Sequence, residues 1–161
     1  MTSPLYQTKL DSLEDLHRFT ARLAPCLRMG DILALDGDLG AGKTELCRSL
    51  IHQLGFHEEV PSPTFNLVQT YEPPYDDQER LSIWHMDLYR LEEPEEAWEL
   101  GIEEAFDTAL CLIEWPSRLG HILPDEHLHV KLEIAETQGA RHLSLYGDAL
   151  WADRLAHLSQ P

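Results

Sequence analysis

A glycine-rich segment that ends in a lysine and a hydroxyl residue has the clearest chemical potential in this 161-residue sequence. The pattern G-x-x-x-x-G-K-[ST] of a phosphate-binding loop is met by residues 37–44, GDLGAGKT. Glycines let the backbone curl so that successive amides converge on a phosphate, and a following helix adds its positive N-terminal end. Lys43 can reach the β- and γ-phosphates of a nucleotide, and the Thr44 hydroxyl can bind Mg²⁺. The segment therefore predicts a nucleotide site.

Two acidic residues are candidates for the carboxylate that such a site needs to hold Mg²⁺, directly or through water. Glu114 follows the apolar run 110–113, and Asp87 ends the strand-like run 83–86. A buried strand delivers its last residue to the same sheet edge as the phosphate loop. We therefore expect Glu114 to be the metal ligand, with Asp87 as the second candidate.

Two histidine-containing pairs raise the question of a second metal site. His85 lies two residues from Asp87, and His127 lies two residues from His129. Neither pair has a third ligand at a recognisable spacing. Solvent-facing histidines are the simpler interpretation of both pairs.

The elements that must position the loop are visible in the hydrophobic pattern. Residues 31–36 form an apolar run without polar alternation, which predicts a strand buried on both faces. A helix after the loop is marked by apolar residues up to Gly55. An earlier helix, capped by Asp11 or Ser12, is predicted by a stripe at spacings of three and four, namely Leu13, Leu16, Thr20, Leu23 and Leu27.

The remaining segments alternate between strand and helix patterns. We predict an antiparallel hairpin of strands 65–71 and 81–88, and short helices within 92–107. A buried strand follows at 109–113, then an antiparallel pair of strands 127–134 and 142–146. A final helix is predicted at 148–158. The mixture predicts an α/β fold of three layers, in which helices flank a mixed, mainly parallel central sheet. The length predicts one domain over residues 1–161.

Charge and cysteine content narrow the class of protein. Lys and Arg number 12 against 29 Asp and Glu, which gives a net charge of −17 and disfavours a broad grip on DNA or RNA. Residues 92–107 contain eight acids and no Lys or Arg, so this stretch is a candidate face for a protein partner.

The three cysteines lack a CxxC pair, and we expect Cys47 and Cys111 in the core. No apolar run is long enough to span a membrane, so we expect a soluble, cytoplasmic protein.

Four motifs in this order together resemble the TsaE family of small bacterial P-loop ATPases. They are the loop at 37–44, SPTF at 62–65, HMDLYRL at 85–91 and EWP at 114–116. The resemblance extends from about Ser12 to Arg141. It implies a P-loop NTPase fold, ATP and Mg²⁺ as ligands, and a protein that docks on TsaB and TsaD. ATP hydrolysis would support repeated turnover of that complex in tRNA threonylcarbamoyladenosine modification, with tRNA reached only through the complex.

The resemblance also implies roles for individual residues. Thr44 and Glu114 would hold Mg²⁺, and Lys43 would contact the phosphates. Asp87 would position the attacking water or stand behind the metal ligands. Thr64 would sense the γ-phosphate, and Trp115 would pack beside the site. Ser12 and Arg141 would lie near the base or ribose, and Glu45 stands where many family members have Ser or Thr. The residues implied to contact ATP are Ser12, Leu39, Gly40, Ala41, Gly42, Lys43, Thr44, Glu45 and Arg141.

Two other functions are compatible with a phosphate loop. A small-molecule kinase would close an arginine-bearing lid over the transferred phosphate, but the nine arginines here are scattered. A nucleotide-dependent binding module would differ from an ATPase mainly in rate. No arginine finger is evident, since Arg90 is as well placed to pair with the acids that follow it, so slow intrinsic turnover is expected.

Overall fold

The computed structural model describes residues 3–61, 67–77 and 79–160, in which helices cover both faces of a seven-stranded sheet. The strands are β1 Tyr6–Leu10, β2 Ile32–Asp36, β3 Val68–Tyr71, β4 Ile83–Asp87, β5 Leu110–Glu114, β6 Leu128–Ile134 and β7 Arg141–Tyr146. The α-helices are α1 Leu13–Leu23, α2 Lys43–Gln53, α3 Ile102–Thr108 and α4 Ala149–Arg154. Short 3₁₀ helices cover Ala24–Cys26, Pro94–Leu100, Pro116–Ile122 and Ala156–Ser159.

The sheet is parallel at its centre and antiparallel at its edges. Its strand order is β1-β7-β6-β2-β5-β4-β3. Strands β6, β2, β5 and β4 run parallel to their neighbours within this group, whereas β7, β1 and β3 are added antiparallel. The predicted α/β class with a mixed sheet is confirmed. The parallel centre matters for function because it brings the carboxyl ends of β2, β4 and β5 to one edge.

Strand β5 shows why the central runs lack polar alternation. Leu110 and Leu112 pack into the hydrophobic cluster that contains residues of α1, α2 and α4. Cys111 and Ile113 point the other way, into a cluster with Ala97, Ile102 and other residues of the segment 94–122. Both faces of the strand are therefore covered, and apolar side chains are required at every position before Glu114. The same division produces the three layers.

The first and last predicted helices are shorter than their hydrophobic patterns suggest. The Ser12 side chain caps α1 by accepting a hydrogen bond from the Asp15 amide at 3.2 Å, as predicted. However, α1 ends at Leu23 and not at Leu27, because Pro25 has no amide hydrogen and cannot continue an α-helix. The final helix is also broken, since α4 ends at Arg154 and a 3₁₀ turn follows.

The edges of the sheet hold one confirmed hairpin and one strand that was not predicted. Strands β3 and β4 pair antiparallel, as expected, although Phe65 and Asn66 of the predicted first strand lie outside the described residues. The unpredicted strand is β1, which pairs with β7 and extends the sheet by one edge. Among the described residues, no helix has the length and apolar character needed to cross a membrane.

The cysteines provide a test of the core. Cys47 and Cys111 are fully buried, and burial raises the pKa of the Cys111 thiol to about 12 and that of Cys47 well above its usual value. Cys26 is half-buried. Burial raises the pKa of Cys26 as well, so its reaction at pH 8 should be slow. We expect 5,5′-dithiobis(2-nitrobenzoic acid) to modify only Cys26 in the folded protein, because Cys47 and Cys111 are not accessible.

Absorbance at the wavelength of the released thionitrobenzoate measures this count, and unfolding in guanidinium should release all three thiols. A Cys26→Ser variant is the control, and it should give almost no signal before unfolding. Rapid modification of a second thiol in the native wild type would contradict the packing around α2 and β5.

Candidate functional site

The predicted phosphate loop connects β2 to α2 and depends on its glycines. Gly40 and Gly42 have φ angles of 82° and 102°, in the left-handed region that favours glycine. Gly37 is needed for space, because a Cβ there would lie 2.7 Å from the carbonyl oxygen of Leu132 in β6. Gly42 immediately precedes α2, so the loop ends at the positive end of this helix.

Lys43 is folded back onto the loop that contains it. Its ammonium group donates a hydrogen bond to the Gly37 carbonyl oxygen and lies 3.7 Å from the centroid of the Trp115 ring. Burial lowers the pKa of Lys43, and the nearby carboxylates of Glu114 and Asp87 oppose this shift. Trp115 therefore does pack beside the loop, as expected, and it does so with a left-handed backbone at φ 61°.

The two candidate carboxylates lie side by side at the ends of β4 and β5. Asp87 and Glu114 are register partners in the parallel pairing of these strands. Both side chains are buried, with exposed fractions of 7% and 3%. The Thr44 hydroxyl lies 3.0 Å and 3.1 Å from the two Glu114 carboxylate oxygens. Glu114 is thus in contact with the hydroxyl that sequence reasoning paired it with.

His85 is not a solvent-facing histidine, which corrects the interpretation from sequence. Its side chain is fully buried, and Nε2 lies 2.7 Å from Glu114 Oε2. The error arose because β4 is covered on both faces, so alternation along the strand does not distinguish solvent from protein. The separate pair fits the expectation better, since the side chains of His127 and His129 are partly exposed. A sequence signal for His85 existed in its position two residues before Asp87, on the same strand face.

One cavity of about 360 Å³ collects most of the predicted site residues. It is lined by Leu39, Gly40, Ala41, Gly42, Lys43, Thr44, Glu45, Asp87, Glu114, Trp115 and Arg141. Glu45 also forms an ion pair with Arg48. Thr64 lies outside the described residues, so its predicted role remains a prediction.

A second, smaller cavity of about 120 Å³ adjoins the loop on the side of α1. Ser12, Glu45 and Arg141 line it, together with apolar side chains that include Leu16 and Leu132. Arg141 donates hydrogen bonds to the carbonyl oxygens of Gly40 at 3.0 Å and Ala41 at 2.9 Å. Ser12, Glu45 and Arg141, which the resemblance implies to contact ATP, are therefore neighbours, and Arg141 also braces the loop.

Comparison with known proteins identifies the family. A sequence model described as "Threonylcarbamoyl adenosine biosynthesis protein TsaE" matches residues 10–143. This range contains the loop, both carboxylates and Arg141. The chain belongs to the TsaE family. Among curated TsaE proteins, that of Rickettsia bellii is 44% identical over 81% of this chain and 88% of its own length. The TsaE of Treponema pallidum is 35% identical over 76% of this chain and 87% of its own.

A solved structure agrees with the fold. The crystal structure of Bacillus subtilis YdiB superposes with a TM-score of 0.75 at 25% sequence identity. The match covers 95% of this chain and 92% of YdiB. The arrangement of sheet, loop and flanking helices is therefore shared over nearly the whole of this chain.

The tight packing of the loop against β6 gives a stability prediction. Gly37→Ala would place a methyl group 2.7 Å from the Leu132 carbonyl oxygen and 3.1 Å from Ala41 Cβ. We expect the free energy of unfolding to fall by about 1–3 kcal/mol, because the backbone must shift to make room. Urea unfolding followed by circular dichroism measures this change.

The control is Asp38→Ala, the next residue in the same loop, whose side chain is exposed. Its effect should stay within about 0.5 kcal/mol. Equal stability of the Gly37→Ala variant and the wild type would show that the loop does not press on β6 as described.

Proposed function

We propose that this chain is a Mg²⁺-dependent ATPase of tRNA threonylcarbamoyladenosine biosynthesis, which supports turnover of a TsaB–TsaD complex in the cytoplasm. The observation that carries the proposal is the contact of Thr44 with Glu114 directly beneath a phosphate loop. We further propose that residues 1–161 act as a single P-loop ATPase domain.

The phosphate chain of ATP would lie over the loop between β2 and α2. Backbone amides of the segment from Leu39 to Thr44, at the start of α2, are suited to an anion because they concentrate positive partial charge. Lys43 would exchange its contact with the Gly37 carbonyl for contacts with the β- and γ-phosphates. Trp115 lies under this ammonium group and limits its movement to the side of the loop.

The Thr44 hydroxyl and the Glu114 carboxylate are suited to hold Mg²⁺. Both offer oxygen, the ligand type that this ion prefers. Their separation of 3.0 Å matches two adjacent oxygens in an octahedral shell with bonds of about 2.1 Å. When bound, Mg²⁺ would neutralise charge on the β- and γ-phosphates. The donor set therefore fits the metal that the family resemblance implies.

Asp87 is the residue proposed to position the attacking water. It lies beside Glu114 in the strand register and lines the cavity over the loop. A carboxylate at this place can orient a water molecule or hold a water ligand of the metal, and both roles are compatible with its position. Thr64 keeps its proposed role as a sensor of the γ-phosphate.

The base and ribose of ATP would occupy the smaller cavity beside α1. Its apolar side chains suit a flat aromatic base, and Ser12, Glu45 and Arg141 supply polar groups at its border. Arg141 also borders the phosphate cavity, so it is placed where the two parts of the nucleotide meet.

The negative charge of the chain favours binding to a protein partner over direct binding to tRNA. The eight acids of residues 92–107 all have exposed side chains, and they are Glu92, Glu93, Glu95, Glu96, Glu99, Glu103, Glu104 and Asp107. A surface of this kind repels phosphate backbones. We therefore propose that tRNA is met only through the TsaB–TsaD complex.

Substitutions in the proposed site should show whether ATP hydrolysis depends on its residues. Lys43→Ala removes the phosphate-binding cation and Glu114→Gln removes a metal ligand, so each should lower ATP hydrolysis by about 100-fold or more. Wild-type hydrolysis should be slow alone and should rise when purified TsaB–TsaD is added. Phosphate release, measured with and without the partner complex, tests both statements.

Matched controls are Lys9→Ala and Glu79→Gln, which change the same charges at residues that line neither the phosphate cavity nor the cavity beside α1. They should hydrolyse ATP at the wild-type rate. If TsaB–TsaD leaves the wild-type rate unchanged and tRNA modification proceeds undiminished without this chain, the coupled-ATPase proposal is wrong. Phosphoryl transfer to a metabolite would then favour the kinase alternative.

Arg141 gives a separate prediction about affinity. Arg141→Ala removes two hydrogen bonds that hold the loop carbonyls of Gly40 and Ala41. We expect the dissociation constant for a non-hydrolysable ATP analogue with Mg²⁺ to rise about 10-fold, or about 1.4 kcal/mol. Arg141→Lys should give an intermediate value, because an ammonium group lacks the planar fork of donors.

Isothermal titration calorimetry measures these constants. Arg28→Ala is the control, since Arg28 is exposed and does not line either cavity. Unchanged affinity in the Arg141→Ala variant would exclude both the bracing role and contact with the nucleotide.

A further inference from the structure

His85 is a buried polar residue for which the proposed ATPase chemistry has no role so far. It lies in the middle of β4, and its side chain has no exposed surface. A histidine is rarely placed in such a position without a specific partner. Its partner is Glu114, through Nε2 and Oε2 at 2.7 Å.

The direction of this hydrogen bond follows from the groups around it. The Thr44 hydroxyl donates to the Glu114 carboxylate, which accepts from the His85 side as well. Nε2 must therefore carry the hydrogen atom. His85 Nδ1 is buried and has no hydrogen-bond partner among the described residues. Burying a nitrogen without a partner costs less free energy when it carries no hydrogen atom than when it is an N–H group. The ring is thus held as a single donor directed at Glu114.

The two oxygens of Glu114 have different surroundings as a result. The Thr44 hydroxyl is almost equidistant from both of them, so it does not fix the rotation of the carboxylate. His85 contacts Oε2 and removes this ambiguity. Oε1 then remains for another ligand beside the Thr44 hydroxyl.

We propose that His85 is a positioning residue that fixes the Glu114 carboxylate so that Oε1 is presented, together with the Thr44 hydroxyl, to Mg²⁺. This inference rests on the proposed metal role of Thr44 and Glu114. His85 does not touch nucleotide or metal, and it acts through the orientation of Glu114. Hydrogen-bonded groups behind metal ligands commonly have this effect on affinity.

A metal ion bound by His85 itself is the competing explanation. Donor atoms of Cys47, His85 and Glu114 lie within 4.8 Å of one another. Two ligands of a tetrahedral zinc ion are separated by about 3.3 Å when their bonds are about 2.0 Å, so a pair at 2.7 Å is hydrogen-bonded and not jointly coordinating. Burial also raises the pKa of Cys47, which favours the neutral thiol over the thiolate that zinc needs.

Two amide substitutions distinguish a positioning role from a structural one. In His85→Gln the amide nitrogen can take the place of Nε2 and still donate to Glu114. In His85→Asn the shorter side chain puts its amide near the place of Nδ1, and the bond to Glu114 is lost. Met86→Ala is the matched control, because Met86 is buried in the same strand but packs on the opposite face.

The readout is the affinity for a fluorescent ADP analogue, measured with Mg²⁺ and with EDTA, which requires no turnover. We expect Mg²⁺ to strengthen binding in the wild type, in His85→Gln and in Met86→Ala. In His85→Asn the strengthening should fall by about 10-fold while affinity in EDTA stays unchanged. Circular dichroism checks that each variant is folded.

The outcomes separate the two proposals. A full Mg²⁺ effect in His85→Asn overturns the positioning role while the ATPase proposal stands. Loss of the effect in Met86→Ala as well as in His85→Asn shows a structural role only, which also overturns it. Absence of a Mg²⁺ effect in the wild type overturns the proposed metal site and this inference with it. Should His85→Asn not fold, a folded His85→Gln decides: a retained effect supports the proposal and a lost one overturns it.

Discussion

A carboxylate that is almost completely removed from water needs hydrogen-bond donors around it, and Glu114 is the residue on which the site depends for this reason. Its donors come from two other elements, Thr44 at the start of α2 and His85 in β4. The three elements are therefore held in one relative position. A shift of β4 by one residue would turn both His85 and Asp87 to the opposite face of the sheet. The register of β4 in the sheet therefore determines the geometry of the site.

The parts of this arrangement that local sequence determines could be predicted. The phosphate loop lies between an apolar run and an amphipathic helix, and the run 110–113 ends in an acid, so the loop and Glu114 were expected at one sheet edge. The helix cap is also a local feature, and of the two predicted candidates, Asp11 and Ser12, the structure has Ser12. Each of these predictions starts from a pattern of residues close together in the chain, and the meeting of the loop with Glu114 adds only the rule that parallel strands end at one sheet edge.

The parts that failed depend on which elements become neighbours. His85 was misinterpreted because its neighbours in the core, Cys47 of α2 and Glu114 of β5, lie far from it in sequence. The strand β1 was not predicted because its half-exposed pattern gains meaning only when β7 pairs with it. The bonds of Arg141 to the loop carbonyls were not predicted, because they join residues about 100 positions apart. Tertiary contacts of this kind leave little local signal.

The phosphate loop and its neighbour Trp115 provide partners for the lysine of the loop. The Lys43 ammonium group donates a hydrogen bond to the Gly37 carbonyl oxygen and packs on the Trp115 ring, so its charge is not fully exposed to solvent. Under the proposed function, nucleotide binding would be an exchange of partners for Lys43 and not the gain of a first one. The net free energy of that contact is the difference between the two states, which makes release of a phosphate group easier than the strength of a lysine–phosphate contact alone would suggest. Under the proposed function, such a loop would favour repeated loading and emptying over tight retention.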